Sequence, residues 1–93
     1  MAVFTNDPKF ATRALADYRS WAKSGNKKAI KKINDLIADI QENGLLYGIG
    51  KPEKLRYRDN EYSREISKGD RLVYTQVGED LVILSCRGHY EDK

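Results

Sequence analysis

Residues 62–87 read YSREISKGDRLVYTQVGEDLVILSCR, and this stretch decides the fold. Three segments rich in apolar and aromatic residues, including the apolar run Leu81–Leu84, have the composition of strands. Two short polar segments separate them at 68–69 and 78–80, and each has the length of a hairpin turn. The stretch therefore predicts three antiparallel strands, over about 62–67, 71–77 and 81–88.

The turn lengths also predict how these strands are paired. A two-residue first turn places Arg64 and Arg71 on the same face of the sheet. If the second turn is a three-residue loop, Arg87 falls opposite Arg71 and His89 continues on that side. A change of one residue in the loop would turn the last strand's side chains to the other face. This register is therefore a hypothesis for the structure to test.

The N-terminal half has the residue spacing of two amphipathic helices. Asn6-Asp7-Pro8 is typical of a helix start, and a helix over about 7–24 would bury one apolar stripe: Phe10, Ala14, Tyr18, Trp21 and Ala22. A second helix is predicted over about 27–43, with a buried stripe of Ile30, Ile33, Ile37 and Ile40. Short strands are expected at about 2–5 and 54–58. Together these elements predict one α+β domain over 1–93, with two helices packed on one face of a mainly antiparallel sheet.

Composition limits the classes of function. The chain has 93 residues, 40% hydrophobic and 33% charged, which suits one small folded domain. Apolar runs fall far short of the roughly 20 residues of a membrane span. The N-terminus lacks the apolar core of a signal peptide, so we expect a cytoplasmic protein without membrane contact. A single cysteine, a single histidine and no CxxC pair predict no disulfide, no metal site and no cofactor.

Positive charge is concentrated where it could contact phosphate. The net charge is only +3, but four lysines crowd the start of the second predicted helix: Lys27, Lys28, Lys31 and Lys32. In the second half of the chain, cations are interleaved with tyrosines, a pattern that suits phosphate contact and base stacking in single-stranded RNA. An ordinary solvated basic face explains the same composition equally well.

His89 is the first candidate for proton transfer, because histidine titrates near neutral pH. The alternative is an incidental histidine near a chain end. The glycine-rich connection over 43–53 is a weak candidate for a phosphate loop. It lacks the preceding strand and following helix of a nucleotide-binding loop, so nucleotide binding is not predicted.

Four ordered segments resemble the YoeB/Txe family of the RelE/ParE toxin–antitoxin superfamily. They are GKPEKL at 50–55, YSR at 62–64, RLVY at 71–74 and HY at 89–90. The resemblance extends from about residue 4 to residue 90, and helix residues 31–37 contribute to it. It implies a RelE/ParE-like (microbial RNase-like) fold and a ribosome-dependent endoribonuclease that cleaves mRNA. It also implies inhibition by a YefM/Axe-like antitoxin, and such toxins can pair as homodimers.

The resemblance assigns roles in a metal-free cleavage in which the RNA 2′-hydroxyl attacks the neighbouring phosphate. Glu53 matches the general base and His89 the general acid. Arg71 matches the cation that stabilises the scissile phosphate, and Tyr90 matches the aromatic residue that orients the substrate. Further phosphate contacts are expected from Lys51, Arg56, Arg64 and Arg87. The four helix lysines would contact ribosomal RNA, with an affinity that falls as salt rises.

The chain departs from the family pattern at two places. Glu65 follows Ser63-Arg64 where the family usually has a second arginine, and residues 91–93 extend the chain past His89-Tyr90. A ParE-like toxin that inhibits DNA gyrase by binding is the alternative function within the superfamily, because fold alone does not establish catalysis. A passive RNA-binding module is a third reading. Single residues also have alternative roles. Glu53 would be an ordinary solvated carboxylate in a turn, and Arg71 would form a surface ion pair.

Overall fold

The structure, a computed structural model, describes residues 1–88. Within these residues it has two helices, α1 (Thr12–Lys23) and α2 (Lys27–Asn43). Five strands lie in the same range: β1 (Lys9–Phe10), β2 (Glu53–Lys54), β3 (Glu61–Ser67), β4 (Asp70–Val77) and β5 (Asp80–Ser85). They form one sheet in the order β1-β5-β4-β3-β2, parallel between β1 and β5 and antiparallel elsewhere. The predicted α+β class, with two helices on a mainly antiparallel sheet, is confirmed.

Helix α2 has the predicted bounds because its capping residue, its buried apolar stripe and its terminal glycine all indicate the same segment. The Asn26 side chain accepts a hydrogen bond from the Ala29 N–H at 3.0 Å, which caps the first turn. Gly44 follows the last turn at φ 97°, a conformation that favours glycine. The buried stripe is made of Ala29, Ile33, Leu36, Ile37 and Ile40.

The N-terminal segment differs from the prediction. Residues 2–5 form no strand, and α1 begins at Thr12 instead of residue 7. The Asn6 side chain donates to Asp80 at 2.9 Å, so it is used in a tertiary contact and caps no helix. Residues 9–10 instead pair with β5, and the Ala11 N–H donates to the Ile83 carbonyl at 2.9 Å. This tertiary pairing overrides the local helix-start signal.

Strand lengths and the register also differ from the prediction. The strand expected at 54–58 is limited to Glu53–Lys54, and β5 ends at Ser85. Glu65 pairs with Arg71 and Ser67 with Asp70, so Ile66 is the extra residue of a β-bulge. Because of this extra residue, Arg71 lies opposite Glu65 and shares its face of the sheet. Arg64 points to the other face, so the prediction that Arg64 and Arg71 share a face is wrong.

The second turn is shorter than expected. Val77 pairs with Asp80, so the connection has two residues instead of three. A second irregularity follows, because Tyr74 pairs with Ile83 and Val73 with Ser85, which leaves Leu84 as an extra residue. The predicted pairing is therefore wrong from the turn to Tyr74, and the extra residue restores the predicted register at Val73 and Ser85.

The sheet has a core face and an open face. Leu72, Tyr74, Leu81 and Ile83 join buried residues of both helices in one cluster. Ala22, predicted to be buried with the first helix's stripe, is exposed. On the opposite side, which we call the open face, strand pairing aligns a row across four strands: Glu53, Ser63, Val73 and Ser85. No helix in the range 1–88 combines the length and apolar character needed to cross a membrane.

Candidate functional site

Glu53 and Arg71 meet on the open face. The Arg71 Nη2 atom lies 3.2 Å from Glu53 Oε1 and donates to Ser63 Oγ at 2.9 Å. The Arg71 side chain is 17% exposed and that of Glu53 is 51% exposed. Ser63 and Val73 are buried beneath this pair and form the floor of the site. A carboxylate and a guanidinium, each still accessible, therefore lie together over a desolvated surface.

Strand pairing places both charged groups. Glu53 lies on β2 directly opposite Ser63 of β3, and Ser63 lies opposite Val73 of β4. Arg71 is two residues before Val73 on β4, so its side chain emerges on the same face. The long arginine side chain then reaches across β3 toward β2. The site depends on the bulge at Ile66, which brings Arg71 to the open face relative to β3.

Arg64 lies on the core face and is completely buried. Its guanidinium donates to Asp39 Oδ2 at 2.6 Å and to the Tyr74 hydroxyl at 3.0 Å. It also donates to three backbone carbonyls, each at 2.9 Å, of Gly44, Tyr47 and Ile49. The expected phosphate contact by Arg64 is therefore wrong, because its donors are used inside the protein. The bulge at Ile66 places this side chain on the core face. The sequence pattern of the strand contains no signal that predicts the bulge.

Arg64 and Asp39 hold the connection between α2 and β2. Asp39 Oδ2 also accepts from the Ile49 N–H at 3.0 Å, and the Gly50 carbonyl accepts from the Glu65 N–H at 2.7 Å. Burial acts to raise the pKa of the Asp39 carboxyl, but the hydrogen bond and charge of Arg64 and the Ile49 N–H outweigh it, and that pKa lies below its usual value of 3.8. This clamp fixes the segment that leads directly into Glu53.

Tyr74 also binds both Arg64 and the connection between α2 and β2. Its hydroxyl accepts from Arg64 Nε and donates to the Leu45 carbonyl at 2.5 Å. Burial raises the pKa of this hydroxyl, although Arg64 acts in the opposite direction. The phenol therefore stays protonated and keeps its hydrogen bond to the connection.

The end of β5 is anchored beside the site. The Arg71 N–H donates to the Gly88 carbonyl at 3.0 Å, and the Gly88 N–H donates to Asp70 Oδ1 at 2.7 Å. The Trp21 indole donates to the Cys86 carbonyl at 2.8 Å and ties the preceding residues to α1. The candidate residues His89 and Tyr90, and the extension 91–93, lie outside the described residues.

Arg87 is held against α1. Its guanidinium lies 4.1 Å from the centre of the Trp21 ring and donates to Ser20 Oγ at 2.8 Å. Such stacking of a guanidinium on an indole is a favourable cation–π contact. The expected phosphate contact by Arg87 in the Arg71 site is not supported, because its side chain is used in fastening β5 to the helix.

The remaining predicted cations are on the surface. Lys51 is 81% exposed and lies 3.3 Å from Glu65. Arg56 is also exposed, with its guanidinium 5.9 Å from the centre of the Tyr57 ring. The four helix lysines divide between two grooves. Lys28 and Lys32 face the β3–β4 hairpin, whereas Lys27 and Lys31 line a groove with Asp35, to which Lys31 is paired at 2.8 Å.

Cys86 is excluded as a nucleophile. Its side chain is fully buried, and its thiol approaches the Ala14 carbonyl at 3.6 Å. Burial, assisted by the nearby negative charge of Asp17, raises the pKa of the thiol to about 12. Because the thiolate is the reactive form, this cysteine is an inert core residue.

Comparisons with known proteins identify the family. The family model described as the YoeB-like toxin of bacterial type II toxin–antitoxin systems matches residues 10–90. The chain belongs to this family. It is 46% identical over 72 residues to toxin YoeB of Synechocystis, with 76% of this chain and 83% of the relative covered. It is 40% identical over 75 residues to toxin YoeB of Escherichia coli K12, covering 80% and 87% of the two chains.

Solved structures of YoeB-like toxins have the same fold. The YoeB dimer from Staphylococcus aureus is 44% identical, with a TM-score of 0.82 and coverage of 90% of this chain and 97% of that chain. A YoeB/ParE toxin from Agrobacterium tumefaciens is 31% identical, with a TM-score of 0.81 and coverage of 91% and 100%. The family resemblance seen in the sequence is confirmed, and the protein is a toxin of a type II toxin–antitoxin system.

Proposed function

We propose that this toxin is a ribosome-dependent endoribonuclease that cleaves mRNA by attack of the 2′-hydroxyl on the adjacent phosphate. The observation that carries the proposal is the contact between Glu53 and Arg71 on the open face, 3.2 Å apart. The reaction needs a proton acceptor beside the 2′-hydroxyl and a cation beside the phosphate that gains charge. These two side chains supply the two groups within one substrate's reach.

Glu53 is the proposed general base. Its carboxylate is half exposed, so a bound nucleotide can reach it, and β2–β3 pairing fixes the backbone from which it extends. Arg71 is the proposed phosphate ligand. A guanidinium is always charged and presents several donors in one plane, so it can bind a phosphate while it keeps its bond to Ser63. Entry of the substrate would exchange part of the Glu53 contact for the phosphate.

His89 is the proposed general acid for the leaving 5′-oxygen, and Tyr90 the proposed stacking residue. Gly88, which precedes His89 in the chain, is fastened by hydrogen bonds to Asp70 and to the Arg71 backbone. This anchoring beside Arg71 supports a role for the next residues in the same site. Removing a general acid lowers rates by about 10²–10⁴-fold, and we expect His89→Gln to show a loss in that range.

Partners and location complete the proposal. Structures from Staphylococcus aureus include a YoeB dimer and YoeB–YefM complexes. We propose for this chain a YefM/Axe-like antitoxin, a homodimeric form, and action on ribosomes in the cytoplasm. An antitoxin segment that covers the open face would block Glu53 and Arg71 together. Lys51 and Arg56, both exposed near β2, are proposed to contact RNA phosphates.

The test is primer extension on one mRNA in a translating extract and in buffer without ribosomes. We expect cleavage mainly in the translating sample, and a fall of about 10²–10⁴-fold with Glu53→Gln. Glu42→Gln, an exposed carboxylate on α2, is the matched control and should cleave like the wild type. Equal rates for wild type and Glu53→Gln would contradict the role of Glu53. Growth arrest without RNA cleavage, accompanied by inhibition of gyrase supercoiling, would favour the ParE-like alternative.

A further inference from the structure

A second basic surface lies at the junction of α2, the connection to β2 and the β3–β4 hairpin. This cleft, which we call the lysine cleft, has a volume of about 440 Å³. Its lining includes Lys32, Gly50, Lys51, Glu65, Ser67 and Lys68. The three lysines come from three different parts of the chain, so helical or strand periodicity alone does not account for their convergence.

The charge of the lysine cleft is unbalanced. Lys51 is paired with Glu65 at 3.3 Å, whereas Lys32 and Lys68 form no ion pair within residues 1–88. Three cations and one carboxylate leave a net excess of positive charge in one concave surface. The groove on the other side of Lys32 contains one further lysine, Lys28, and one carboxylate, Asp70, so it leaves this excess unchanged. Such a surface attracts polyanions and binds their phosphates with release of counterions.

The lysine cleft adjoins the candidate site. Glu65, in its wall, lies directly opposite Arg71 in the β3–β4 pairing and on the same open face. Lys51, also in its wall, is two residues before Glu53 in the chain. A polyanion that occupies the cleft can therefore pass from Lys68 and Lys32 to the Glu53–Arg71 pair without leaving the surface.

We propose that the lysine cleft binds backbone phosphates of the mRNA strand next to the cleaved bond. This rests on the proposed ribonuclease function and adds a binding subsite to it. Lys32 and Lys68 bind phosphate directly. Lys51 exchanges its contact with Glu65 for a phosphate, so Glu65 weakens RNA binding by competing for that lysine.

The test is fluorescence anisotropy with a short, labelled single-stranded RNA whose 2′-hydroxyls are methylated, so that binding is measured without cleavage. Affinity is determined from about 50 to 200 mM KCl. Lys32→Gln and Lys68→Gln should each weaken binding about five-fold at 0.1 M salt and lower the salt slope by about 0.7, the value for one lost contact on a single strand. Lys23→Gln, an exposed lysine at the end of α1 outside the cleft, is the control and should bind like the wild type.

Glu65→Gln should strengthen RNA binding, the opposite of the effect of the lysine substitutions. Because a surface ion pair contributes up to about 1 kcal/mol, this change should tighten binding by as much as about five-fold. Circular dichroism spectra check that each variant is folded. Unchanged affinity and slope in both lysine variants would overturn the proposal. A loss seen only in sedimentation with empty ribosomes, and absent with the RNA, would overturn it too, because the cleft would then bind ribosomal RNA.

These outcomes are independent of the cleavage assay. If the methylated RNA binds as expected but the wild type cleaves no mRNA on ribosomes, the proposed function fails and the lysine cleft is supported as an RNA site. If cleavage depends on Glu53 but the lysine variants bind RNA normally, the function stands and the subsite is rejected.

Discussion

Replacing Arg64 with methionine tests whether this residue is structural. Methionine keeps much of the side-chain length and removes the guanidinium. Asp39, the Tyr74 hydroxyl and three backbone carbonyls each lose the hydrogen bond that Arg64 donates, and Asp39 keeps only neutral donors such as the Ile49 N–H. Arg64 is fully buried and the Asp39 side chain is 18% exposed. Removing one partner of a buried ion pair destabilises a protein by about 3–5 kcal/mol. For 93 residues, the expected total stability is about 5–14 kcal/mol, so Arg64→Met removes a large fraction of it.

Urea unfolding at neutral pH, followed by circular dichroism, measures this loss. We expect a decrease of about 3–5 kcal/mol in the free energy of unfolding for Arg64→Met. Arg19→Met, on the exposed side of α1, is the control and should stay within about 0.5 kcal/mol of the wild type. In a double-mutant cycle, Asp39→Asn should make the Arg64 substitution less costly, because the carboxylate it would leave unpaired is gone. A loss below about 1 kcal/mol in Arg64→Met would refute the assignment of Arg64 to the core.

Three further outcomes follow from buried contacts. Gly50→Ala places a Cβ 2.5 Å from the buried Leu36 Cδ2 atom, and we expect a loss of about 1–3 kcal/mol of stability beyond that of Gly78→Ala, which has a positive φ but open space around it. Cys86, with a thiol pKa of about 12, should not react with a thiol reagent near about pH 8 until the protein is unfolded in denaturant; rapid modification of the folded protein would contradict its burial. The pKa of Asp39 is lowered on folding. Its ionised carboxylate therefore adds to the free energy of unfolding above the pKa of the unfolded chain, and this stabilisation is lost as pH falls through the lower pKa of the folded protein. The stability difference between wild type and Asp39→Asn should therefore be constant near neutral pH and shrink in acid, and a difference unchanged down to about pH 2 would disprove the shift.

Agreement between independent local signals made part of the fold predictable. Helix α2 was predicted with the bounds it has, because its apolar period, the Asn26 cap and the terminal Gly44 all indicate the same segment. Helix α1 was predicted to begin too early because Asn6 is a good capping residue in sequence but binds Asp80 in the fold. That contact joins residues far apart in the chain, so local patterns cannot show it.

The site was only partly predictable for a similar reason. Glu53 and Arg71 were singled out by the family resemblance, and the structure brings them into contact. Arg64 was placed on the wrong face because a bulge at Ile66 adds one residue to β3, and a period-two pattern has no local mark of such a residue. Arg87 was misplaced because packing on Trp21 decides its direction. The side-chain directions of both arginines depend on strand pairing and packing, which the alternation of residues along one strand does not indicate.

In the proposed reaction, RNA is cleaved by its own 2′-hydroxyl in the site of Glu53 and Arg71. The most direct measurement uses a translated mRNA in which the nucleotide before the cleaved bond is 2′-deoxy, compared with the same mRNA in all-ribose form. We predict that the ribose mRNA is cut to leave a 2′,3′-cyclic phosphate and a 5′-hydroxyl, and that the deoxy mRNA is not cut at that bond. Cleavage of the deoxy mRNA at the same bond and at a comparable rate would contradict attack by the 2′-hydroxyl.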